Sequence, residues 1–335
     1  MSVFVVCEAG VTNYGDPDLA RRQIDVAVEA GADAVKFQAW DTPSLVSRHA
    51  ANARRGDLGY DWFERMEERR LDWDALRELQ RYARERGITW YATPHDERAL
   101  RFLVDVLDVP MLKVGSGEAG NLAFLQLVGG AERSVQIAFG LQSDDEAARA
   151  VAELLAGGAT DVIAFHTVSV YPTPASLAWL TRVDRLRELL GIPVGISDHT
   201  VGWHVPLAAV ARGADAVEKH LTFDRADPRS LDNPGALEPT EFTEMVRQIR
   251  EVEEALETPE PAALADAVAV ARAWATQAVV AARDLAAGME LAPSDVEFKR
   301  PALGGVPAGE VGSLLGRRLV RAVVADEQIR REDVR

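Results

Sequence analysis

The sequence predicts a (β/α)8 barrel followed by a small second domain. Three observations carry that reading. Short β-branched, apolar runs alternate with amphipathic stretches of helical period, and the alternation repeats eight times. Glycine turn signals sit where a helix hands over to a strand, as in Ala30-Gly31-Ala32, Arg86-Gly87, Gly157-Gly158 and Arg212-Gly213. Ionisable side chains gather at the carboxyl ends of the apolar runs, where a barrel of this class builds its site.

In chain order, the expected strands are Val3–Ala9, Ala34–Ala39, Thr89–Thr93, Met111–Gly115, Val135–Phe139, Val162–His166, Val194–Ser197 and Ala216–Leu221. Between them lie helical patterns such as Asp18–Ala30, Trp73–Arg86, Asp145–Ala156 and Pro206–Arg212, and a last helix is expected over Pro239–Leu256. A doubly wound open sheet is the alternative, but no GxGxxG follows the first strand. The stretch from Asp41 to Leu71 reads as a long loop carrying Arg48, Arg54 and Arg55, the kind of segment that serves as a lid or binding element. Glu257-Thr258-Pro259-Glu260-Pro261 reads as a linker, and an Ala-rich helical bridge runs from there to Thr276. The expected division is a barrel over 1–257, a bridge over 258–276 and a short-stranded domain over 277–335. About 60 residues make a marginal independent domain, so the last piece is expected to dock against the barrel or another subunit.

Composition narrows the function. The net charge of −16 argues against a nucleic-acid partner, which demands a basic surface. No run of about 20 uncharged apolar residues is present, so no membrane span is expected. The opening Met1-Ser2-Val3-Phe4-Val5-Val6 lacks a basic leader, and the single cysteine, Cys7, suits a reducing cytoplasm. Only four of the 37 basic residues are lysine: Lys36, Lys113, Lys219 and Lys299. In so arginine-rich a chain, these are candidates for positions where a compact ammonium is wanted, the alternative being chance survival of a lysine.

The strand ends supply the chemistry. They read Cys7-Glu8-Ala9-Gly10, Lys36-Phe37-Gln38, Ala92-Thr93-Pro94-His95-Asp96, Lys113-Val114-Gly115-Ser116-Gly117-Glu118, His166-Thr167-Val168-Ser169-Val170-Tyr171-Pro172, Ser197-Asp198-His199-Thr200 and Glu218-Lys219-His220. Side-chain alternation puts Lys36 with Gln38, Ser197 with His199, and Glu218 with His220. His199 and His220, on neighbouring strands, can meet around one divalent cation of the Mn2+, Fe2+, Co2+ or Zn2+ type. Either histidine alone would more simply be a hydrogen-bonded core or surface residue. Lys36 and Lys113, with Thr93, Ser116 and Ser197, can present ammonium and hydroxyl donors to a phosphate. Lys219 should point the other way, into an ion pair in the helix layer. His49 and His204 read as solvent or helix-cap residues, and His166 as a second layer behind the site.

These motifs, in this order, resemble the signatures of sialic acid synthases. The tail segments Glu297-Phe298-Lys299-Arg300-Pro301 and Leu314-Leu315-Gly316-Arg317 resemble that family's C-terminal antifreeze-like (SAF) domain, a β-clip fold. The resemblance spans essentially the whole chain. It implies an enzyme, a transferase that condenses phosphoenolpyruvate (PEP) with the open-chain aldehyde of a sugar to give a 2-keto-3-deoxy sugar acid and phosphate. It also implies Mn2+ or another divalent metal on His199 and His220, with Glu8 handling a proton. Lys36, Thr93, Lys113, Ser116, Ser169 and Ser197 would hold PEP, and Gln38, Glu118, Tyr171 and Asp232 would face the sugar. Arg300 would reach a neighbouring subunit's site in a domain-swapped homodimer. The partners implied are small molecules only, and the location is the cytoplasm.

The chain departs from the family pattern at Thr12-Asn13-Tyr14, His95, Ala138-Phe139-Gly140-Leu141, Thr167-Val168 and Ser230-Leu231-Asp232-Asn233. At the fifth strand a phosphate-binding hydroxyl is expected to be missing and a bulky ring added. Most departures fall on the sugar side, so an altered acceptor is expected. The alternatives are a metal-dependent barrel aldolase using another donor such as pyruvate, a Schiff-base aldolase through Lys113 or Lys36, and a barrel that binds without catalysis.

Overall fold

The computed structural model describes residues 2–50 and 61–335. Eight parallel strands close into a barrel: β1 (Phe4–Glu8), β2 (Ala34–Ala39), β3 (Thr89–Pro94), β4 (Met111–Val114), β5 (Ser134–Phe139), β6 (Asp161–His166), β7 (Val194–Asp198) and β8 (Ala216–His220). Each strand pairs in parallel with the next, and β1 closes on β8 with Glu8 opposite His220. The alternation of strand and helix expected from the sequence is therefore the architecture found.

Local chemistry explains the helix boundaries. Helix Pro17–Ala30 starts at Asp16, whose carboxylate accepts from the Asp18 and Leu19 amides, and stops at Gly31 in the left-handed region. Helix Asp144–Gly157 opens with a reciprocal capping box between Ser143 and Glu146. The stretch between β2 and helix Trp73–Glu85 differs from expectation, because it holds helices Thr42–Leu45 and Trp62–Glu68. Asp61 nucleates the second of these by accepting from the Phe63 and Glu64 amides. The Arg48 guanidinium lies over the Phe63 ring. Arg54 and Arg55 lie outside the described residues.

Two kinds of core hold the barrel. Outward-facing strand residues such as Val5, Cys7, Val35 and Phe37 join the helices in one continuous apolar layer. Inward-facing Val6, Ala34 and Tyr91 fill the barrel axis, with Ala138, Phe165 and Ala216 as a second plug. Gly195 is required inside, since a Cβ there would lie 2.6 Å from the Ala216 carbonyl. The plug closes the axis below the carboxyl ends, so the mouth is a basin with a floor.

Met1–Leu256 and Glu257–Arg335 form two compact units. The second begins with helix Pro261–Ala275 and carries an antiparallel pair, β9 (Ala278–Ala281) and β10 (Val296–Lys299). Its own core is built from Val279, Leu285, Leu291, Leu314, Leu319 and Ile329.

Candidate active site

The mouth of the barrel opens into a cavity of about 1070 Å3. Among the residues lining it are Glu8, Lys36, Lys113 and Glu218, which form a buried ionic cluster on its floor. Lys36 Nζ lies 3.0 Å from Glu8 and 3.2 Å from Glu218, and Lys113 Nζ lies 2.8 Å from Glu218. Ser197 Oγ donates to Glu218 at 2.8 Å, and Lys36 Nζ donates to Thr93 Oγ1 at 3.4 Å. Lys113 also sits over the Phe165 ring. Lys36 and Glu218 stand mid-strand, so the cluster lies one layer below the rim instead of on it.

Burial and pairing set the charges. Burial works against ionised Glu218, but Lys113 and Lys36 outweigh it and hold the carboxyl far below its usual range. Burial also opposes the charge on Lys36, and Glu218 with Glu8 more than restores it. Lys113 ends lower, at about 8, because burial exceeds the pull of Glu218. Glu8 is left with the weaker share of positive charge. Burial, with Glu218 adding repulsion, pushes its carboxyl up to about 7 despite Lys36 and the Gln38 hydrogen bond. Two carboxylates with opposite protonation tendencies thus share one cation, the arrangement that equips a site for acid–base work.

His199 and His220 meet at the rim, with ring centroids 5.3 Å apart, and the Tyr171 ring lies 4.1 Å from His199. His199 Nδ1 donates to the Val168 carbonyl at 2.9 Å, which leaves the lone pair on Nε2. His220 Nδ1 is buried without a hydrogen-bond partner among the described residues and lies 3.9 Å from Asp232. Burial pushes His199 down to about 4 and His220 down as well, so both rings are neutral at neutral pH. Among the described residues no three His, Cys, Asp or Glu side chains converge as a complete cage. Two neutral imidazoles, one with an orphaned buried nitrogen, fit a divalent ion whose other positions go to water or substrate. Behind this pair, Lys219 is fully buried and bonded to Asp198 and the Thr200 carbonyl.

Next to the ionic floor is a hydroxyl cradle. Gly140 N–H donates to Ser116 Oγ at 2.8 Å. A Cβ on Gly140 would overlap Ser169 Oγ and lie 2.8 Å from Thr167 Cγ2 and 2.9 Å from Ser116 Oγ. Glycine is what lets the hydroxyl-bearing side chains of the neighbouring strand ends close over one backbone turn. Buried Arg182 braces this turn from below, donating to the carbonyls of Phe139 and Gln142 at 2.7 Å each. The expected intrusion of a bulky ring at β5 does not occur. Phe139 packs outward into the helix layer, and Ala138 is the β5 residue that lines the cavity.

Gln38 and Glu118 also line the cavity, joined by His95. His95 Nδ1 is 3.0 Å from Glu118 Oε1 and Nε2 is 3.3 Å from Gln38 Oε1, while Gln38 Nε2 donates to Glu8 at 3.0 Å. Asp232 comes from the loop after β8. That loop is anchored by buried Asn233, which donates to the Tyr14 hydroxyl at 2.8 Å and accepts from Thr222 Oγ1. Gly235 seats the same loop so close to β7 that a Cβ would lie 2.6 Å from the His199 carbonyl.

Of the residues singled out from the sequence, Glu8, Lys36, Gln38, Thr93, Lys113, Ser116, Glu118, Ser169, Tyr171, Ser197, His199, His220 and Asp232 line this one cavity. His166 lies behind it, bonded to the Ala178 carbonyl. His204 begins helix His204–Ala211. Arg300 belongs to the second unit, exposed just after β10.

A model of the NeuB family matches residues 23–260, and one of the SAF domain matches residues 276–335. The chain belongs to the NeuB family. It is 32% identical over 330 residues to the N,N'-diacetyllegionaminic acid synthase of Legionella pneumophila, covering 95% of this chain and 91% of that protein. It is also 32% identical over 333 residues to the N-acetylneuraminate-9-phosphate synthase of Homo sapiens, covering 98% and 92%. Among solved structures, the N-acetylneuraminic acid synthetase of Leptospira borgpetersenii superposes with a TM-score of 0.70 at 29% identity, covering 81% of this chain and 92% of that one. This NeuB-family chain is accordingly an enzyme, a carbon–carbon bond-forming synthase of the transferase type with a barrel and a SAF domain. Among the described residues no helix is long and apolar enough to cross a membrane.

The geometry adds residues that the sequence pattern alone does not single out. Alternation pairs Glu218 only with His220, yet it is the carboxylate that holds both lysines. His95, a departure from the family pattern, is the bridge between two cavity side chains. A signal for Glu218 exists in the sequence, since a buried Lys pair requires a buried acid.

Proposed function

We propose that this enzyme condenses PEP with the open-chain aldehyde of a sugar, giving a 2-keto-3-deoxy sugar acid and inorganic phosphate. The observation that carries the reading is the adjacency, in one cavity, of the two-imidazole pair and the Lys36–Lys113 floor. The relatives named as N,N'-diacetyllegionaminic acid and N-acetylneuraminate-9-phosphate synthases support it.

In this reading, Lys36, Lys113 and Thr93, with Ser116, Ser169 and Ser197, bind the anionic groups of PEP. Gly140 lets the Ser116 and Ser169 hydroxyls converge, which offsets the hydroxyl missing at Ala138. Gln38, Glu118, Tyr171 and Asp232 face the sugar. A divalent ion such as Mn2+, held by His199 and His220, supplies Lewis-acid polarisation of an aldehyde oxygen when bound. Carbon 3 of PEP forms the new bond to the aldehyde carbon, water adds to the carbon 2 cation, and the tetrahedral adduct expels phosphate. Glu8, poised near neutrality, takes the proton of the added water and becomes neutral, while the oxygen of the former aldehyde gains a proton; until that transfer Lys36, 3.0 Å away, stabilises Glu8 as the carboxylate.

The departures at His95 and Leu231 line the cavity, and those at Tyr14 and Asn233 anchor the loop that carries Asp232, which supports an acceptor other than N-acetylmannosamine. The domain division follows as a barrel over 1–257, a bridge over 258–276 and the SAF domain over 277–335. Exposed Leu264, Val270 and Trp274 on helix Pro261–Ala275 support a second copy of the chain, with Arg300 completing a neighbour's site in a cytoplasmic homodimer.

The test is phosphate release from PEP by metal-stripped protein, with Mn2+ and a panel of sugars including N-acetylmannosamine. Release should need both metal and aldehyde and fall at least about a thousandfold in His199→Ala. Efficient turnover of N-acetylmannosamine would sink the altered acceptor. Condensation with pyruvate in place of PEP would move the enzyme to the aldolase reading.

A further inference from the structure

His95 occupies the carboxyl end of β3 between side chains from β2 and the turn after β4. Its two ring nitrogens are both engaged, Nδ1 by Glu118 Oε1 at 3.0 Å and Nε2 by Gln38 Oε1 at 3.3 Å. The row continues, because Gln38 turns its amide nitrogen to Glu8 at 3.0 Å. Donor accounting fixes the order of the row. Gln38 gives its N–H to Glu8, so its carbonyl faces His95 and Nε2 must be the donor there; the Nδ1–Glu118 contact then requires a second proton, carried by the ring or by the Glu118 carboxyl. Each side chain in the row thereby sets the orientation of the next. Removing the imidazole would leave the Gln38 amide free to flip and Glu118 Oε1 without its neighbour. Glu118 Oε2 already has no hydrogen-bond partner among the described residues and is held beside Gly115, 2.9 Å from where a Cβ would sit.

We propose that His95 is a positioning residue for the sugar acceptor, locking the Gln38 amide and the Glu118 carboxylate in the orientation the acceptor meets. This rests on the PEP–sugar reading above. His95 acts through its two neighbours and makes no hydrogen bond with Lys36 or Lys113, so its loss weakens the acceptor and leaves PEP, held by those two lysines, in place. Other side chains at this position would change which sugars are taken.

The experiment uses full-length protein with Mn2+, PEP and whichever panel sugar gives the fastest phosphate release. His95→Phe keeps a ring and removes both hydrogen bonds, and should raise the acceptor KM about tenfold while the PEP KM stays within about twofold. His95→Asn places an amide where Nδ1 stood and His95→Gln places one near Nε2, so each should recover part of the loss. These variants also carry the test if the Phe variant folds poorly. Equal acceptor KM values across the wild type and all three variants, or parallel rises for PEP and sugar, overturn the proposal. A second readout does not depend on turnover. With isotope-labelled histidine, the His95 ring signals, assigned by their loss in His95→Phe, should shift in Glu118→Gln and in Gln38→Leu. Unshifted signals mean the row does not exist, and that result stands even if no sugar releases phosphate and the PEP–sugar reading fails.

Discussion

Lys219 Nζ donates to Asp198 Oδ2 across 2.6 Å inside the wall between barrel and helices, and the same ammonium donates to the Thr200 carbonyl. The two acceptors flank His199 in the chain, and Lys219 itself precedes His220. One buried ammonium therefore ties together the backbone that carries both imidazoles.

Lys219→Met should strip the charge from a side chain with no solvent exposure and leave buried Asp198 without its ion-pair partner. Removing one partner of such a pair costs about 3–5 kcal/mol, which urea unfolding would read as a lower midpoint. Pairing it with Asp198→Leu should recover much of that loss. On the proposed reading, in which His199 and His220 hold a divalent ion, neither variant should bind Mn2+ as tightly as the wild type, because the strut behind His199 is gone. Undiminished stability in Lys219→Met would show that the pair is not holding the wall.

Glu8 gives a pH signature of defined sign. Its carboxyl is pushed up from 4.5 to about 7, chiefly by burial. The native state then binds this proton more tightly than the unfolded chain. That contribution is complete below pH 4.5 and is lost as pH climbs through about 7. The buried imidazoles, pushed down, act in the opposite sense. The difference between metal-free wild type and Glu8→Gln isolates the glutamate. Wild type should lose stability relative to Glu8→Gln as pH rises through that window, followed by urea midpoints. A difference that does not vary with pH would remove Glu8 from the list of perturbed groups.

Gly140→Ala tests the hydroxyl cradle. The added methyl would overlap Ser169 Oγ and sit 2.9 Å from Ser116 Oγ, so both hydroxyls must retreat. The PEP KM should rise by about tenfold or more, with the acceptor KM little changed. Steady-state phosphate release with each substrate varied in turn would check this. A rise confined to the acceptor would place the cradle on the wrong side of the reaction.

The barrel is legible in the sequence because its signals are local and repeat. A strand's period-two alternation suffices to put Lys36 with Gln38, and Ser197 with His199, in the mouth while turning Lys219 away. What alternation cannot supply is the register between strands. Glu218 reaches Lys113 across the barrel axis, and His95 meets Glu118 and Gln38 from two other elements; no spacing in the chain announces those meetings. The Tyr14–Asn233 bond joins the first strand's loop to the last one's, over 219 residues. Phe139 misleads for a related reason. In place of a small polar residue it suggests a blocked site, but one step of alternation sends the ring into the helix layer. The Asp41–Leu71 stretch reads as loop because helices Thr42–Leu45 and Trp62–Glu68 within it are short and one depends on a single capping aspartate.

The seat of Gly235 against the His199 carbonyl divides the loop after β8 into two regions of unequal freedom. A side chain at that glycine would shove an imidazole off its mark, whereas Leu231, four positions earlier, projects into solvent with 69% of its surface exposed. A library aimed at new substrates should therefore diversify the loop from Ser230 to Asp232 and leave its hinge point untouched. Natural drift under the same restraint would rewrite the rim repeatedly while the reacting groups stayed where they are.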